Sequence, residues 1–141
     1  MAGETKERIL ETALELFAQS GYLGTSMSDI AARLGITKAA LYKHYAGKQE
    51  ILDRIVQRMN ELDAARAADY EMPGAAPEGF AKAYLNTPLD RIRAYSTAQF
   101  DHWTREPFSA NFRKMLTLEQ YRDARLAQLY QENLASGPVK Y

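Results

Sequence analysis

The sequence predicts an all-α protein, and three observations support this prediction. Apolar residues recur with a helical period of about 3.6 residues along most of the chain. The breaks between these periodic segments carry glycine, proline or residues that cap helices. No segment shows the strict polar and apolar alternation that is typical of a strand. With 141 residues, of which 46% are hydrophobic, the chain is long enough for one or two small globular domains.

The first two helices are defined by their end residues. Thr5 is expected to cap the start of the first helix, and Gly21 is expected to end it. Ser26 and Asp29 have the spacing of a capping box at the start of the second helix. Gly35 is expected to end this helix, because glycine tolerates the positive φ of a helix C-terminus. The apolar stripe of the first helix consists of Ile9, Leu10, Ala13, Leu14, Leu16 and Phe17.

A third helix is expected directly after Thr37, a suitable N-cap. The stretch from Ile30 to Tyr45 would then contain two short helices around a tight turn, which is the pattern of a helix-turn-helix. Tyr45 lies four positions after Leu41 and is expected to be a core residue. The other residues expected to hold this unit to a core are Ile30, Ala31, Leu34, Ile36 and Leu41.

Charge is balanced over the whole chain but not along it. Eighteen basic and eighteen acidic residues predict no long-range attraction of the whole molecule to a polyanion. Between residues 30 and 49, however, the charged residues are Arg33, Lys38, Lys43 and Lys48, with no acid among them. We therefore expect one basic face, and local charge decides whether a polyanion binds.

A long fourth helix is predicted to connect two domains. It would run over residues 48–71, after an N-terminal domain at residues 1–47. The segment 72–79 contains two prolines and two glycines and is predicted to be a loop or linker. Residues 80–141 are then expected to form a second helical domain, which is rich in aromatic residues.

Helix ends are also predicted in the second domain. Thr87 and Pro88 are expected to begin a helix that ends before Pro107, where another short helix starts. Thr117 and Gln120 are expected to box the start of the last helix, with its stop at Gly137-Pro138.

Spaced motif residues are dense between Lys6 and about Ile55. They comprise an opening I-L-x-x-A-x-x-L-F-A-x-x-G-Y, a centre T-S-M-S-D-I-A-x-x-L-G-I-T-K-A-A-L-Y-K-H-Y and a following K-Q-E-I-L. This region closely resembles the DNA-binding domain of the TetR/AcrR (tetracycline-repressor-like) family. The resemblance implies a helix-turn-helix domain of three helices, joined by the fourth helix to a C-terminal effector and dimerisation domain. Members of this family are commonly longer, with two further helices in the dimer interface, so we expect the C-terminal domain to be incomplete here.

The resemblance also implies which residues contact DNA. A recognition helix enters the major groove, where side chains reach base edges and phosphates. Capping alone would also explain the residue type at Thr25, Ser26 and Thr37, and a solvated helix face would explain the lysines. His44 could instead be a structural hydrogen bonder. The expected base contacts are Ser28, Lys38, Ala39, Ala40 and Lys43, and the expected phosphate contacts are Thr25, Ser26, Thr37, Tyr42, His44 and Lys48.

The expected function is sequence-specific regulation of transcription. By resemblance, a repressor would bind a double-stranded operator as a homodimer and release it when a small-molecule effector binds. Tyr95, Gln99 and Trp103 could line the effector pocket, although ordinary core packing would also explain them. An activator on the same fold and a helical interaction module without DNA binding remain open alternatives.

Other classes of function have little support in the sequence. The chain has no cysteine, two separate histidines and no glycine-rich phosphate loop, so we expect neither an enzyme nor a cofactor or metal site. His102 beside Trp103 is a weak constellation for catalysis, because Asp101 lies about 100° away around the helix. No apolar run is long enough to span a membrane, and the N-terminal MAGETKER is not a secretory signal, so we expect a cytoplasmic protein.

Overall fold

The computed structural model describes residues 2–73 and 79–135, and within these ranges the chain is helical without any strand. The predicted all-α class is therefore confirmed. Residues 74–78 of the predicted linker and the predicted stop at Gly137-Pro138 lie outside the described residues. The helices are α1 (Ala2–Ser20), α2 (Met27–Leu34), α3 (Lys38–His44), α4 (Lys48–Asp69), α5 (Phe80–Leu85), α6 (Leu89–Arg105), α7 (Pro107–Glu119) and α8 (Ala124–Tyr130), and a π-helical turn (Gln131–Ala135) follows α8.

The ends of the first three helices follow local cap chemistry. Ser26 and Asp29 form the predicted capping box in both directions, with hydrogen bonds of 2.9 and 3.1 Å. Gly35 has a φ of 71° and ends α2, as predicted. Thr37 caps α3 by accepting a hydrogen bond from the Ala40 N–H at 3.0 Å. The predicted start of α1 was wrong, because this helix begins at Ala2 and Thr5 lies inside it.

One continuous core joins the N-terminal helices to α4. The predicted apolar stripe of α1 is buried, and so are Ile30, Leu41 and the first turns of α4. Tyr45 is 4% exposed, and its hydroxyl donates to the Lys6 carbonyl at 3.3 Å, which confirms its prediction as a core residue. Fixed in this way, Leu41 and Tyr45 determine which face of α3 points outward.

The second half of the chain packs back on the first. α7 crosses α1 and forms the most extensive helix pair in the described part of the molecule. Phe112, Met115 and Leu116 on α7 are fully buried in the same cluster as Phe17 of α1. The N-terminal helices are therefore in direct contact with the helices that follow the linker.

Helix starts in the second half differ partly from the prediction. Pro88 occupies the N-cap position of α6, and the Thr87 hydroxyl donates to the Ala83 carbonyl at 2.9 Å instead of capping α6. α6 ends before Pro107 as predicted, and Glu106 caps α7 by accepting from the N–H groups of Phe108 and Ser109.

The predicted box at Thr117 and Gln120 was wrong. Thr117 lies inside α7, and its hydroxyl donates to the Arg113 carbonyl at 2.8 Å. The last helix, α8, begins later, where Asp123 accepts a hydrogen bond from the Leu126 N–H at 3.0 Å. None of the helices in the described part of the chain has the length and apolar character needed to cross a bilayer.

Candidate nucleic-acid interface

A tight turn fixes the angle between α2 and α3. The N–H of Gly35 donates to the Ala32 carbonyl and that of Ile36 to the Ala31 carbonyl, each at 3.1 Å. These bonds satisfy two of the carbonyls that a helix C-terminus leaves open. Because Thr37 then caps α3 at once, little freedom remains between the two helices.

The outer face of α3 consists of Lys38, Ala39, Tyr42 and Lys43, all of which are exposed. They form two pairs spaced by four residues, so they share one side of the helix. On the opposite side, Leu41 is completely buried. This arrangement leaves two ammonium groups and a methyl group free to meet a partner.

The two remaining residues with predicted base contacts flank this outer face. Ala40 is partly buried on α3, and Ser28 is exposed on α2. The structure therefore presents four of the five predicted base-contact residues to solvent and partly covers the fifth.

The acids on either side of the basic segment are occupied in capping. Asp29 accepts from the Ser26 N–H at 2.9 Å, and Glu50 accepts from the Ala46 N–H at 3.2 Å. The backbone hydrogen bond from Ser26, followed by that of its hydroxyl, lowers the pKa of Asp29, so this carboxylate stays charged and bound to its own cap. Arg33, Lys38 and Lys43 are exposed, which gives the surface of α2 and α3 its positive charge.

Most of the predicted phosphate contacts are accessible. Ser26 and Thr37 are exposed at the starts of α2 and α3, where each hydroxyl oxygen accepts a capping hydrogen bond. Such a hydroxyl still carries a hydrogen that can be donated to a phosphate oxygen. Tyr42 is 45% exposed and His44 is partly exposed at the other end of α3.

Thr25 does not fit the phosphate role predicted for it. It is 3% exposed, and its hydroxyl donates to the Gly21 carbonyl at 2.8 Å. This hydrogen bond joins the two ends of the turn between α1 and α2 on its buried side. The sequence contained a hint of this role, since Thr25 lies four residues after the glycine that ends α1.

Lys48 also differs from its predicted position, because its side chain turns inward. The Nζ atom donates to the Tyr22 carbonyl at 2.7 Å and lies 4.3 Å from the centre of the Tyr22 ring. Burial lowers the pKa of Lys48, and the charge of Glu119 partly opposes this effect. In this conformation the ammonium group is bound to the turn between α1 and α2, and it does not point outward where it could contact a phosphate.

The three residues predicted for an effector pocket lie one turn apart on α6 and are half-buried. The ring of Tyr95 lies 6.0 Å from that of Tyr70. The ring of Trp103 lies 6.1 Å from that of Phe112, and the Gln99 side-chain oxygen accepts from Arg66 at 3.3 Å. Trp103 thus packs against the hydrophobic core, Tyr95 packs on the partly buried ring of Tyr70, and Gln99 belongs to a polar cluster.

This polar cluster joins α4, α6 and α7 and was not predicted from the sequence. The guanidinium group of Arg66 contacts Nδ1 of His102, whose Nε2 lies 2.6 Å from the Ser109 hydroxyl. Asp63 is part of the same region, and burial raises the pKa of its carboxyl although Arg66 and hydrogen bonds from Trp103 and Gln99 oppose the rise. The residues on α4 lie at least 33 positions before those on α6 and α7, so the packing of these helices brings them together.

The contact between His102 and Ser109 is not the pairing of a base with a nucleophile. Arginine can only donate, so Nδ1 of His102 accepts and Nε2 carries the hydrogen. The imidazole therefore donates to the Ser109 hydroxyl, whose own hydrogen faces the Met59 sulfur at 3.7 Å. A general base would need a free lone pair at Nε2. In the described parts of the chain, no group of three or more acidic or histidine side chains is placed to hold a metal ion.

Comparison with known proteins supports the resemblance of the N-terminal motifs. Residues 9–55 match the model of the bacterial regulatory proteins of the tetR family. Over 102 residues the chain is 31% identical to the uncharacterized HTH-type transcriptional regulator TtgW of Pseudomonas putida, covering 70% of this chain and 71% of TtgW. Over 52 residues it is 42% identical to the biofilm operon icaADBC HTH-type negative transcriptional regulator IcaR of Staphylococcus epidermidis, covering 37% of this chain and 28% of IcaR.

The fold is also similar to that of a solved regulator. The crystal structure of a TetR-family transcriptional regulator from Marinobacter aquaeolei matches with a TM-score of 0.59 and 27% identity, over 91% of this chain and 56% of that chain. Among five curated relatives that this chain matches, the matched segment spans between 25% and 71% of the relative's length. The motifs around α2 and α3, the extended match to TtgW and the shared fold show that this chain belongs to the TetR family of bacterial transcriptional regulators.

Proposed function

We propose that this protein is a repressor that recognises a double-stranded operator through α3. The outer face of α3 carries the argument, because it exposes Lys38, Ala39 and Lys43 while Leu41 anchors the helix from behind. An α-helix fits the major groove of B-DNA. There the lysines can donate to guanine O6 or N7, and the Ala39 methyl group can contact a thymine methyl group. Ser28 and Ala40 would complete the base contacts.

Phosphate contacts would hold this helix in register. Ser26 and Thr37 are exposed at helix starts, where hydroxyl and backbone N–H groups meet anions favourably. Tyr42 and His44 lie at the other end of α3 and would grip the opposite side of the groove. Contacts of this kind set position and orientation, whereas base contacts determine the sequence that is bound.

Repression and its control follow from the same proposal. The printed name of IcaR describes a negative transcriptional regulator, which supports repression as the direction of control. A homodimer would place two α3 helices about 34–36 Å apart, in successive major grooves of a near-palindromic operator. A small-molecule effector near Tyr95, Gln99 and Trp103 would lower the affinity for the operator. The size of this effect is set by how much more tightly the effector binds the conformation that does not bind DNA. Because bacterial operators are cytoplasmic, the protein would act there.

Selection of bound sequences from random duplex DNA tests this function. The protein is expected to enrich one near-palindromic motif, and metabolites that bind it are then expected to lower its affinity for that motif. The fluorescence of Trp103, the single tryptophan of the chain, offers a direct measurement of effector binding. A folded sample that enriches no sequence would exclude the repressor function.

A further inference from the structure

Lys48 lies in a site that attracts its ammonium group from several sides. Nζ donates to the Tyr22 carbonyl at 2.7 Å and faces the Tyr22 ring at 4.3 Å. The Tyr22 hydroxyl in turn donates to Gln49, the next residue of α4, at 3.2 Å. These contacts tie the first turn of α4 to the turn that precedes α2.

Glu119, the last residue of α7, adds a negative charge to this site. It is 0% exposed, and neither carboxylate oxygen has a hydrogen-bond partner among the residues that the structure describes. The negative charge of Glu119 favours the charged form of Lys48, although burial has the larger effect and lowers the pKa of Lys48. A buried carboxylate without hydrogen bonds is costly unless a cation compensates it.

The ends of two helices increase this need for a cation. Glu119 is at the C-terminus of α7, where the helix dipole is negative. It also lies against Gly21, just after the C-terminus of α1, and a Cβ atom on Gly21 would overlap with the Glu119 Oε1 atom. Gly21 also has a φ of 82°. Any other residue at this position would therefore both clash with Glu119 and adopt a strained backbone conformation. Lys48 donates to the carbonyl of Tyr22, the residue after Gly21, so its ammonium group is a cation that the structure places at the same turn as this carboxylate.

We propose that Glu119 is a positioning residue that draws Lys48 inward, away from phosphate, so that the placement of α7 controls how strongly the protein grips DNA. The inference rests on the proposed function, because it concerns the regulation of operator binding. A shift of α7 that takes Glu119 away from Gly21 would remove the attraction of this carboxylate for Lys48 and would leave the lysine side chain freer to reach a phosphate. α8 packs on α7, and its Arg125 pairs with Asp53 on α4, so the same shift would also disturb this second contact between α4 and the later helices.

Removing the charge of Glu119 tests this role. We expect Glu119→Gln to tighten binding to operator and random duplex DNA alike, by roughly three- to tenfold, and to steepen the salt dependence by about one counterion. In a Lys48→Ala background the same substitution is expected to change neither quantity. Glu15→Gln, which removes an exposed carboxylate on α1, controls for net charge and is expected to leave the salt slope unchanged.

A measurement without DNA completes the test. The effects of Glu119→Gln and Lys48→Ala on the unfolding equilibrium are expected to be non-additive, as they are for groups that interact directly. If Glu119→Gln does not fold, Glu119→Met removes the same charge and places an apolar side chain in a buried position. Additive effects, or the same gain in affinity with and without Lys48, would overturn the inference. Wild-type protein that enriches no DNA sequence would overturn the proposed function, whereas wild-type binding that Glu119→Gln does not alter would overturn this inference alone.

Discussion

At the scale of single residues, two exposed serines at the start of α2 have different roles. The Ser26 hydroxyl completes the capping box with Asp29, and Ser28 lies two residues further along, on the surface of α2. Residue type alone does not distinguish them, but their positions relative to the helix start do. Ser26 therefore contributes to stability, and Ser28 remains available for contact with a base.

Ser26→Ala is expected to lower the free energy of unfolding by about 1 kcal/mol, because one helix N–H loses its acceptor. Ser28→Ala is the matched control and is expected to change stability by less than about 0.5 kcal/mol. Urea denaturation followed by circular dichroism measures both. Equal losses from the two variants would contradict the assignment of Ser26 as the cap.

Asp29 gives the capping box a dependence on pH. Its pKa is lowered by the hydrogen bonds from Ser26, below the ordinary value of 3.8. The stabilisation is therefore present above that ordinary value and is lost as the pH falls through the lowered pKa. We expect the stability difference between the wild type and Asp29→Asn to shrink between about pH 5 and about pH 3 in urea denaturation. A difference that stays constant over this range would show that the charge of Asp29 does not support the box.

At the scale of helices, the turn between α2 and α3 depends on a single backbone conformation. Gly35 has a φ of 71°, and a Cβ atom there would have nothing within 4 Å. A side chain at this position is thus disfavoured by conformation and not by a clash. Because no clash contributes, a substitution at Gly35 measures the free-energy cost of the positive φ alone.

We expect Gly35→Ala to destabilise the protein by roughly 1–2 kcal/mol, since alanine strongly disfavours the left-handed region. Gly35→Asn is expected to cost less, because asparagine tolerates this conformation and ends helices in the same way. Thermal or urea denaturation compares the two variants. An alanine variant as stable as the asparagine variant would contradict the conformational explanation.

The helices also show which features a sequence can predict. At Ser26, Gly35 and Thr37 the predicted helix boundaries are correct, because a capping side chain or a glycine with positive φ determines each of these helix ends locally. Thr117 was misassigned because a threonine hydroxyl can also donate to the carbonyl four residues back, which is compatible with a helix interior. The sequence alone does not decide between these two hydrogen bonds.

Side-chain direction was harder to predict than helix position. The outer face of α3 follows from the periodicity that places Leu41 in the core. The inward turn of Lys48 depends on Tyr22, which is 26 residues away in the chain. The cluster of Arg66, His102 and Ser109 likewise exists only after α4, α6 and α7 have packed together.

At the scale of the whole molecule, several polar junctions hold the N-terminal helices to the later ones, and two of them involve α1 or the glycine that follows it. In the first, Arg58 on α4 pairs with Glu7 and Glu11 of α1, and its guanidinium group lies 4.4 Å from the centre of the Phe108 ring on α7. In the second, Glu119 of α7 lies against Gly21, and Lys48 of α4 donates to the carbonyl of the next residue, Tyr22. Because apolar core residues of α1, α4 and α7 fill the space between the junctions, we expect the described helices to unfold together.

A comparison of two probes tests this cooperativity. Trp103 is the single tryptophan, so its fluorescence reports on α6, while circular dichroism reports on all helices. The two denaturation curves are expected to coincide, as they do for a transition between two states. A fluorescence change that precedes the loss of helicity would show that the later helices separate from the N-terminal ones first.

Recognition of a DNA sequence by α3 is tested most directly by a comparison of binding affinities. The affinities of wild type, Lys43→Ala and Lys82→Ala are measured for the selected operator and for random duplex DNA. Lys82 is an exposed lysine on α5 and serves as the control for charge. We expect Lys43→Ala to lose about 1–3 kcal/mol of discrimination between the two DNAs, and Lys82→Ala to retain it. A Lys43→Ala variant that binds both DNAs as the wild type does, or that weakens both equally, would contradict the assignment of Lys43 as a base contact.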